Sequence, residues 1–311
     1  LEGADRVTIR SRAKLGYATV TDTDLPPLFF DLARRVQAAE AARGAARIDP
    51  PQQQMVEEEG GRFTLGFRPL SPIEDANAAM SLAANLAVAA TLHAAGTGLF
   101  RVMREPGQRA VSRLRHSARA LGLDWPSGDG LAAFKARLDP NRPADAAFML
   151  AVRRAGQGAA YAPAVAGETP WHSAIAATYA HATAPLRRLA DRYVLEAVLA
   201  LANGRPVPDD VAAVFPELAP VMNRAEARAA QVDSAVVDLA EAVVLEARVG
   251  ERFAGQVVDL DDRGARVQLC AEPVVTRIDG AGLKLGDAVT LNLVEANPTR
   301  RITKFESTRS S

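Results

Sequence analysis

The chain changes character near residue 249, and that change limits its architecture more than any other feature. Before it, Ala-rich segments carry helical spacing. Pro26 to Arg43 puts Leu28, Leu32 and Val36 on one face, and Ile73 to Ala94 reads as a long buried helix. Gln108 to Gly122, Leu131 to Leu138, Asp191 to Leu201 and Val221 to Ala247 read as further helices, and Asp145 to Arg154 as a helix or a strand. Arg62 to Phe67 alternates as a strand does, after a turn at Gly60-Gly61. Past residue 249 the pattern shifts to five short strands: Glu251 to Leu260, Ala265 to Ala271, Val274 to Ile278, Ala288 to Ala296 and Arg301 to Phe305. Turn signals at Asp262-Arg263-Gly264, Gly280-Ala281-Gly282 and Leu285-Gly286-Asp287 separate them. The expected class is α+β, with domains at 1–249 and 250–311. Five strands of this length suit an OB-type β-barrel for the second.

Composition narrows the function classes. A length of 311 residues allows about two domains, and a hydrophobic content of 48% excludes a disordered chain. The one cysteine, Cys270, excludes a disulfide framework and a cysteine-based zinc site, and falls within an expected strand. The formal net charge is zero, so a polyanion would need a local basic surface rather than a global field. Only four of the 37 basic residues are lysines, which with the heavy use of alanine points to a GC-rich genome more than to a function. No apolar run approaches the roughly 18 residues of a membrane-spanning helix. The expectation is a bacterial, cytoplasmic enzyme with no membrane partner.

The stretch most suggestive of chemistry is Tyr179-Ala180-His181-Ala182-Thr183-Ala184-Pro185-Leu186-Arg187-Arg188-Leu189-Ala190-Asp191. Thr183 or Ala184 can lead a helix in, and Pro185 suits its first turn, where a missing N–H costs nothing. That places Arg187 and Arg188 in the first turn, an end already electropositive. Two guanidiniums there make sense beside a bound anion such as phosphate, or as partners of a nearby carboxylate such as Asp191. Spacing leaves both readings open. Other acids read as structural: Asp22-Thr23-Asp24 as a cap before Pro26-Pro27, Asp209-Asp210 as a helix start, and Asp259, Asp261 and Asp262 as a hairpin turn.

The Tyr179–Asp191 stretch resembles the motif that closes the catalytic domain in the ribonuclease II (RNB) family of processive 3′-to-5′ exoribonucleases. Tyr179, His181, Thr183, Pro185, Arg187, Arg188 and Asp191 match; Ala182, Ala184, Leu186 and Leu189 depart, and Ala184 and Leu189 each remove a hydroxyl. Further segments resemble family motifs in the right order. They are Arg10-Ser11-Arg12-Ala13-Lys14-Leu15-Gly16-Tyr17, Arg43-Gly44-Ala45, the helix centred on Met80 to Asn85, Gly98 to Val102 with Glu105-Pro106, and His172 to Ile175. The last 60 residues resemble the RNA-binding OB domain named after ribosomal protein S1, the usual C-terminal partner of the RNB domain.

The resemblance implies helices packed on a β-sheet in a partial RNB domain, followed by the barrel. It implies hydrolysis of RNA from the 3′ end to nucleoside monophosphates, with magnesium as cofactor. Arg187 takes the place of the catalytic arginine that neutralises growing phosphate charge. Tyr17, His181, Thr183 and Arg188 take RNA-contacting places, and Tyr17 would stack on a base. On the barrel, Phe253, Arg266, Arg277 and Lys304 are the candidates for stacking and phosphate contact, against a plain reading of Phe253 as core and the charges as solvated faces. The family's four clustered aspartates belong upstream of Ser11, so the chain is expected to be the C-terminal part of a longer protein and inactive alone. The metal ligands are expected in that upstream segment, with none here. Expected partners are single-stranded RNA and an N-terminal fragment of the same protein, with no DNA. A non-catalytic RNA-binding relative is the alternative, and a protein-binding scaffold a third reading.

Overall fold

The computed structural model describes residues 3–11, 13–17, 19–45, 52–58, 62–68, 71–139, 142–156, 158–272 and 274–308. Arg12 of the Arg10–Tyr17 segment and the Gly60-Gly61 turn lie outside them. The chain forms two compact units, each built from separate stretches: 1–47, 70–105 and 157–226 in the first, and 48–69, 106–156 and 227–311 in the second. The units therefore do not follow the sequence division at residue 249.

In the first unit, the described residues before Asp22 carry no helix or strand, and a short 3-10 turn follows at Asp22–Asp24. Asp24 accepts from the Thr21 N–H at 2.9 Å and so closes this turn, while the following helix has Leu28 at its N-cap and no side-chain cap, so the acidic pair does not cap it as expected. Helix α1 (Phe29–Ala42) starts three residues later than expected, because Leu28 takes a left-handed φ of 65° directly after Pro26-Pro27. Strands β1 (Gln52–Glu58) and β2 (Arg62–Arg68) pair antiparallel and belong to the second unit. Helix α2 (Pro72–Ala94) has a full N-terminal signal. Ser71 accepts from the Glu74 N–H at 3.1 Å, Pro72 fills the first turn, and Glu74 and Asp75 face the positive end of the helix dipole. Small buried residues, Ala33 on α1 and Ala76 and Ala79 on α2, let those helices pack together.

Strand β3 (Leu99–Val102) follows α2; α3 (Gln108–Ala120), α4 (Leu131–Lys135) and α5 (Pro143–Ala155) belong to the second unit. With Pro143 in its first turn, α5 resolves as a helix the segment that sequence left open. Its Phe148 packs with Trp125 and Phe134, whose rings stack at 4.7 Å. Back in the first unit, β4 (Ala160–Pro163) pairs with β3, and β5 (Trp171–His172) with β6 (Ala177–Thr178). Helices α6 (Leu189–Ala202) and α7 (Asp209–Leu245) follow. Helix α7 runs through Pro216 and Pro220 and so begins twelve residues before the expected Val221. Each proline removes a helix hydrogen bond, but buried Phe215, Leu218, Ala219 and Met222 hold that turn in the core. The core of the first unit joins these to Val88, Leu92, Leu99, Phe100, Tyr161, Val194 and Val198.

The five expected barrel strands all form: β7 (Arg252–Asp261), β8 (Gly264–Leu269), β9 (Val275–Ile278), β10 (Ala288–Asn297) and β11 (Ile302–Ser307). They make one antiparallel sheet in the order β11-β10-β7-β8-β9, and β11 comes back to β9 to nearly close an OB-like barrel. Register shifts at Val257/Asp259 and Leu293/Glu295 supply the bends that closure needs. Alternation puts Val257, Ala265, Val267, Leu269, Leu291, Leu293 and Phe305 inside. Gly264 is required at the β7–β8 turn. Its φ is +118°, and a Cβ there would stand 2.3 Å from the Ile278 carbonyl oxygen. Cys270 lies just beyond β8 and is exposed, not within a strand.

Candidate nucleic-acid interface

The motif loop is held by buried polar side chains from two helices of the first unit. Asn85 on α2 is 2% exposed. Its Oδ1 accepts from the Ala182 N–H at 2.9 Å, and its Nδ2 donates to the Tyr179 hydroxyl at 2.9 Å and to Thr183 Oγ1 at 3.5 Å. Asp191, fully buried in the first turn of α6, accepts from the Ala184 N–H at 2.8 Å. It also takes Arg188 in bidentate fashion, Nε at 2.9 Å and Nη2 at 2.7 Å. These bonds keep residues 184–188 in a tight turn, with Arg188 N–H on the Ala184 carbonyl at 2.9 Å. Helix α6 therefore starts at Leu189, and the expected placement of both arginines inside its first turn is corrected: Arg188 is the N-cap residue and Arg187 precedes it.

The two neighbours divide the two readings of the pair between them. Arg188 is half-buried and bound to a carboxylate. Burial alone would lower its pKa, but Asp191 outweighs that and holds it above the ordinary value. Arg187 is exposed and makes no side-chain hydrogen bond or ion pair among the described residues. Thr183 is also exposed.

Beneath the loop lies an aromatic and cationic layer. His181 Nδ1 shares a 2.8 Å hydrogen bond with the Tyr161 hydroxyl, and its ring meets those of Tyr161 and Tyr179 edge-on at 5.6 and 5.5 Å. Arg101 on β3 lies 4.3 Å over the Tyr161 ring and bonds Glu226 at 2.7 Å. Burial, then Arg188 and Arg101, pushes the His181 pKa down to about 3; burial and Arg101 push His172 down to about 4. Both imidazoles are thus neutral near pH 7. Burial raises Tyr161 to about 12. His181 is partly buried and supports the loop through Tyr161. Asn85 and Arg101 lie within family-like motifs, but the sequence alone assigns them no role. The available signal was a polar residue at a buried position of an otherwise apolar helix or strand.

Tyr17 is 46% exposed, and its hydroxyl accepts from Asn77 Nδ2 of α2 at 2.9 Å. Asn77 and Asn85 are eight residues apart, about 12 Å along the helix axis, so one rigid helix fixes both the Tyr17 ring and the motif loop.

The barrel candidates separate by burial. Phe253 is corrected: it is 5% exposed, packed edge-on against Phe305 at 5.5 Å, and presents no face to a base. Arg266 on β8 points outward beside its register partner Arg277 on β9, and makes no side-chain bond among the described residues. Arg277 is engaged by both carboxylate oxygens of Asp261, and Lys304 lies 3.2 Å from Glu306. Hydrogen bonds from Arg277 and from the Arg263 N–H hold the Asp261 carboxyl far below the usual range. Among the described residues no group of three His, Cys, Asp or Glu is placed to hold a metal ion. No described helix is long and apolar enough to cross a membrane.

The family model for the RNB domain matches residues 6–204. The chain belongs to the RNB family. Residues 251–308 match the RNase II-type exonuclease C-terminal S1 domain, which covers the barrel. The RNB fold is seen again in Mycoplasma genitalium RNase R, solved with ribose-methylated single-stranded RNA: TM-score 0.76 at 17% identity over 95% of this chain. The same RNase R with double-stranded RNA gives 0.71 at 18% identity over 94% of this chain and 52% of that one. An active-site mutant of the Dss1 exoribonuclease from Candida glabrata gives 0.58 at 14% identity, over 96% of this chain and 38% of that one. Yeast Ssd1, described as a pseudonuclease, gives 0.53 at 17% identity, over 75% of this chain and 29% of that one. The chain spans about half the length of the RNase R it matches, 51%. No curated protein matches it by sequence.

Proposed function

We propose that this chain is part of a cytoplasmic 3′-to-5′ exoribonuclease that degrades single-stranded RNA to nucleoside monophosphates. The observation that carries the reading is the asymmetry of the twin arginines. Arg188 is locked on buried Asp191, while Arg187 stands exposed and unpaired among the described residues, on a loop pinned from beneath. A guanidinium fixed at its base and free at its tip can meet two phosphate oxygens at once and neutralise charge as it grows on a phosphodiester. The exposed Thr183 hydroxyl offers a further donor nearby in sequence. The Tyr17 ring offers a flat face to any base, which suits sequence-independent gripping. Arg266 and Arg277 supply a basic barrel surface, and the Asp261 pair on Arg277 is solvent-exposed and cheap to exchange for phosphate.

Phosphodiester hydrolysis of this kind draws on metal ions to activate water. The described residues form no such site, so no step is assigned to magnesium here. Its carboxylate ligands are proposed to lie in an upstream segment. The loss of hydroxyls at Ala184 and Leu189 favours a second reading, a relative that holds RNA without cutting it. A labelled-RNA assay, run on the chain alone and on the chain joined to its upstream segment, separates the two. Release of nucleoside monophosphates by the joined form supports the nuclease. RNA binding without release in both forms supports the holder. Mononucleotide release by the 311-residue chain alone would show that the catalytic centre has been misplaced.

A further inference from the structure

The two peptide N–H groups flanking Thr183 are both captured by buried side chains. Ala182 N–H goes to Asn85 at 2.9 Å and Ala184 N–H to Asp191 at 2.8 Å. Thr183 is left at the exposed tip between two anchored peptides. Asn85 is the polar exception on a buried helix face formed by Ala76, Ala79, Leu82, Val88, Ala89 and Leu92. A buried amide in such surroundings costs stability unless its hydrogen bonds are made, and here they all go to the motif loop. Its carbonyl oxygen serves Ala182. One Nδ2 proton serves Tyr179, and the other points at Thr183 Oγ1, 3.5 Å away.

That last contact biases the direction of the Thr183 hydroxyl. A hydroxyl has one proton and two acceptor lone pairs. With Asn85 donating to the oxygen, the hydroxyl proton is free to turn away from the buried amide towards solvent. We propose that Asn85 is a positioning residue for phosphate capture, acting through Thr183: it fixes the loop and turns the Thr183 O–H outward as a donor to a phosphate oxygen. The proposal rests on the RNA-binding reading above and adds a residue to it.

The test is a double-mutant cycle on the 311-residue chain, using fluorescence anisotropy with a short 5′-labelled single-stranded oligoribonucleotide at low salt. Thr183→Val removes one hydrogen bond to a charged group and should weaken binding roughly tenfold; Thr183→Ser should not. Asn85→Ala should weaken it by a similar factor. The double variant should lose no more than either single one, because the two residues act as a unit. Losses that multiply, to roughly a hundredfold, would make Asn85 a merely structural residue and overturn the proposal. Should Asn85→Ala fail to fold, asparagine-selective 15N labelling of the wild type takes its place. The Asn85 side-chain amide signal should shift on RNA addition in the wild type and stay still in Thr183→Val; a signal that moves equally in both, or in neither, overturns the proposal. Absence of any RNA binding by the wild type would remove the functional reading itself, and the proposal with it.

Discussion

Arg187 and Arg188 are adjacent in sequence and should behave oppositely when replaced by alanine. Arg188→Ala leaves the fully buried Asp191 carboxylate with the Ala184 N–H in place of two guanidinium bonds. Breaking a buried pair from one side costs about 3–5 kcal/mol, because the remaining charge is uncompensated. At a typical urea slope of about 2 kcal/mol/M, the unfolding midpoint should drop by roughly 2 M. Arg187→Ala removes an exposed side chain with no partner among the described residues, so stability should stay within about 0.5 kcal/mol. Its cost falls on binding. Losing one charge-assisted contact of about 1.5–3 kcal/mol weakens RNA affinity roughly 10- to 100-fold. The slope of log affinity against log salt should shrink by about 0.7 for one phosphate contact to a single strand. Urea melts followed by circular dichroism, together with anisotropy titrations across salt, read both effects. A joint Arg188→Met, Asp191→Leu variant should recover most of the lost stability, since an apolar pair can replace a buried ion pair. Equal destabilisation by the two alanine variants, or unchanged RNA affinity in Arg187→Ala, would refute the division of labour.

Acid should weaken the first unit in a defined window. His172 and His181 are held near pKa 4 and 3 when folded, against 6.5 when free. The unfolded chain therefore binds protons that the folded one refuses. Their contribution is complete above pH 6.5 and is lost as pH falls towards 4 and 3, at up to about 1.4 kcal/mol per pH unit for each imidazole. Urea melts from pH 7.5 to 4.5 should show this slope, and a His181→Gln variant should flatten part of it; a flat profile in the wild type contradicts the burial. Removing the barrel after Gly250 should weaken binding of long RNA and lower its salt slope by the contacts of Arg266 and its neighbours. A truncated chain that binds long RNA as tightly as the whole one would mean the barrel is no clamp.

The barrel was legible because each strand is short, alternates cleanly and is bounded by a turn with a stated cause, such as the positive φ of Gly264. The long α2 helix was legible for the same reason, with Ser71, Pro72 and Glu74 marking its start. The start of α6 was misplaced because local signals at Thr183 and Pro185 compete with a tertiary one. Asp191 reaches back to Ala184 N–H and Arg188, and holds a turn where spacing suggested a helix. Proline spacing hid the first part of α7, since burial of Phe215 and Met222 overrides the local penalty at Pro216 and Pro220. Motif order marked the residues around Arg187, but which arginine is free depends on a carboxylate that only the fold brings into line. Phe253 could not be told from a surface aromatic until the register of β7 put it inside.

Arg187 is proposed to stabilise charge on a phosphodiester during hydrolysis. The most direct measurement is single-turnover cleavage by a protein carrying the proposed upstream segment, comparing wild type with Arg187→Lys. Lysine keeps a positive charge but replaces the planar fork with a point charge. Losing one donor to the transition state should slow cleavage roughly a hundredfold or more, while RNA affinity changes far less. Cleavage at the wild-type rate in Arg187→Lys would contradict the account.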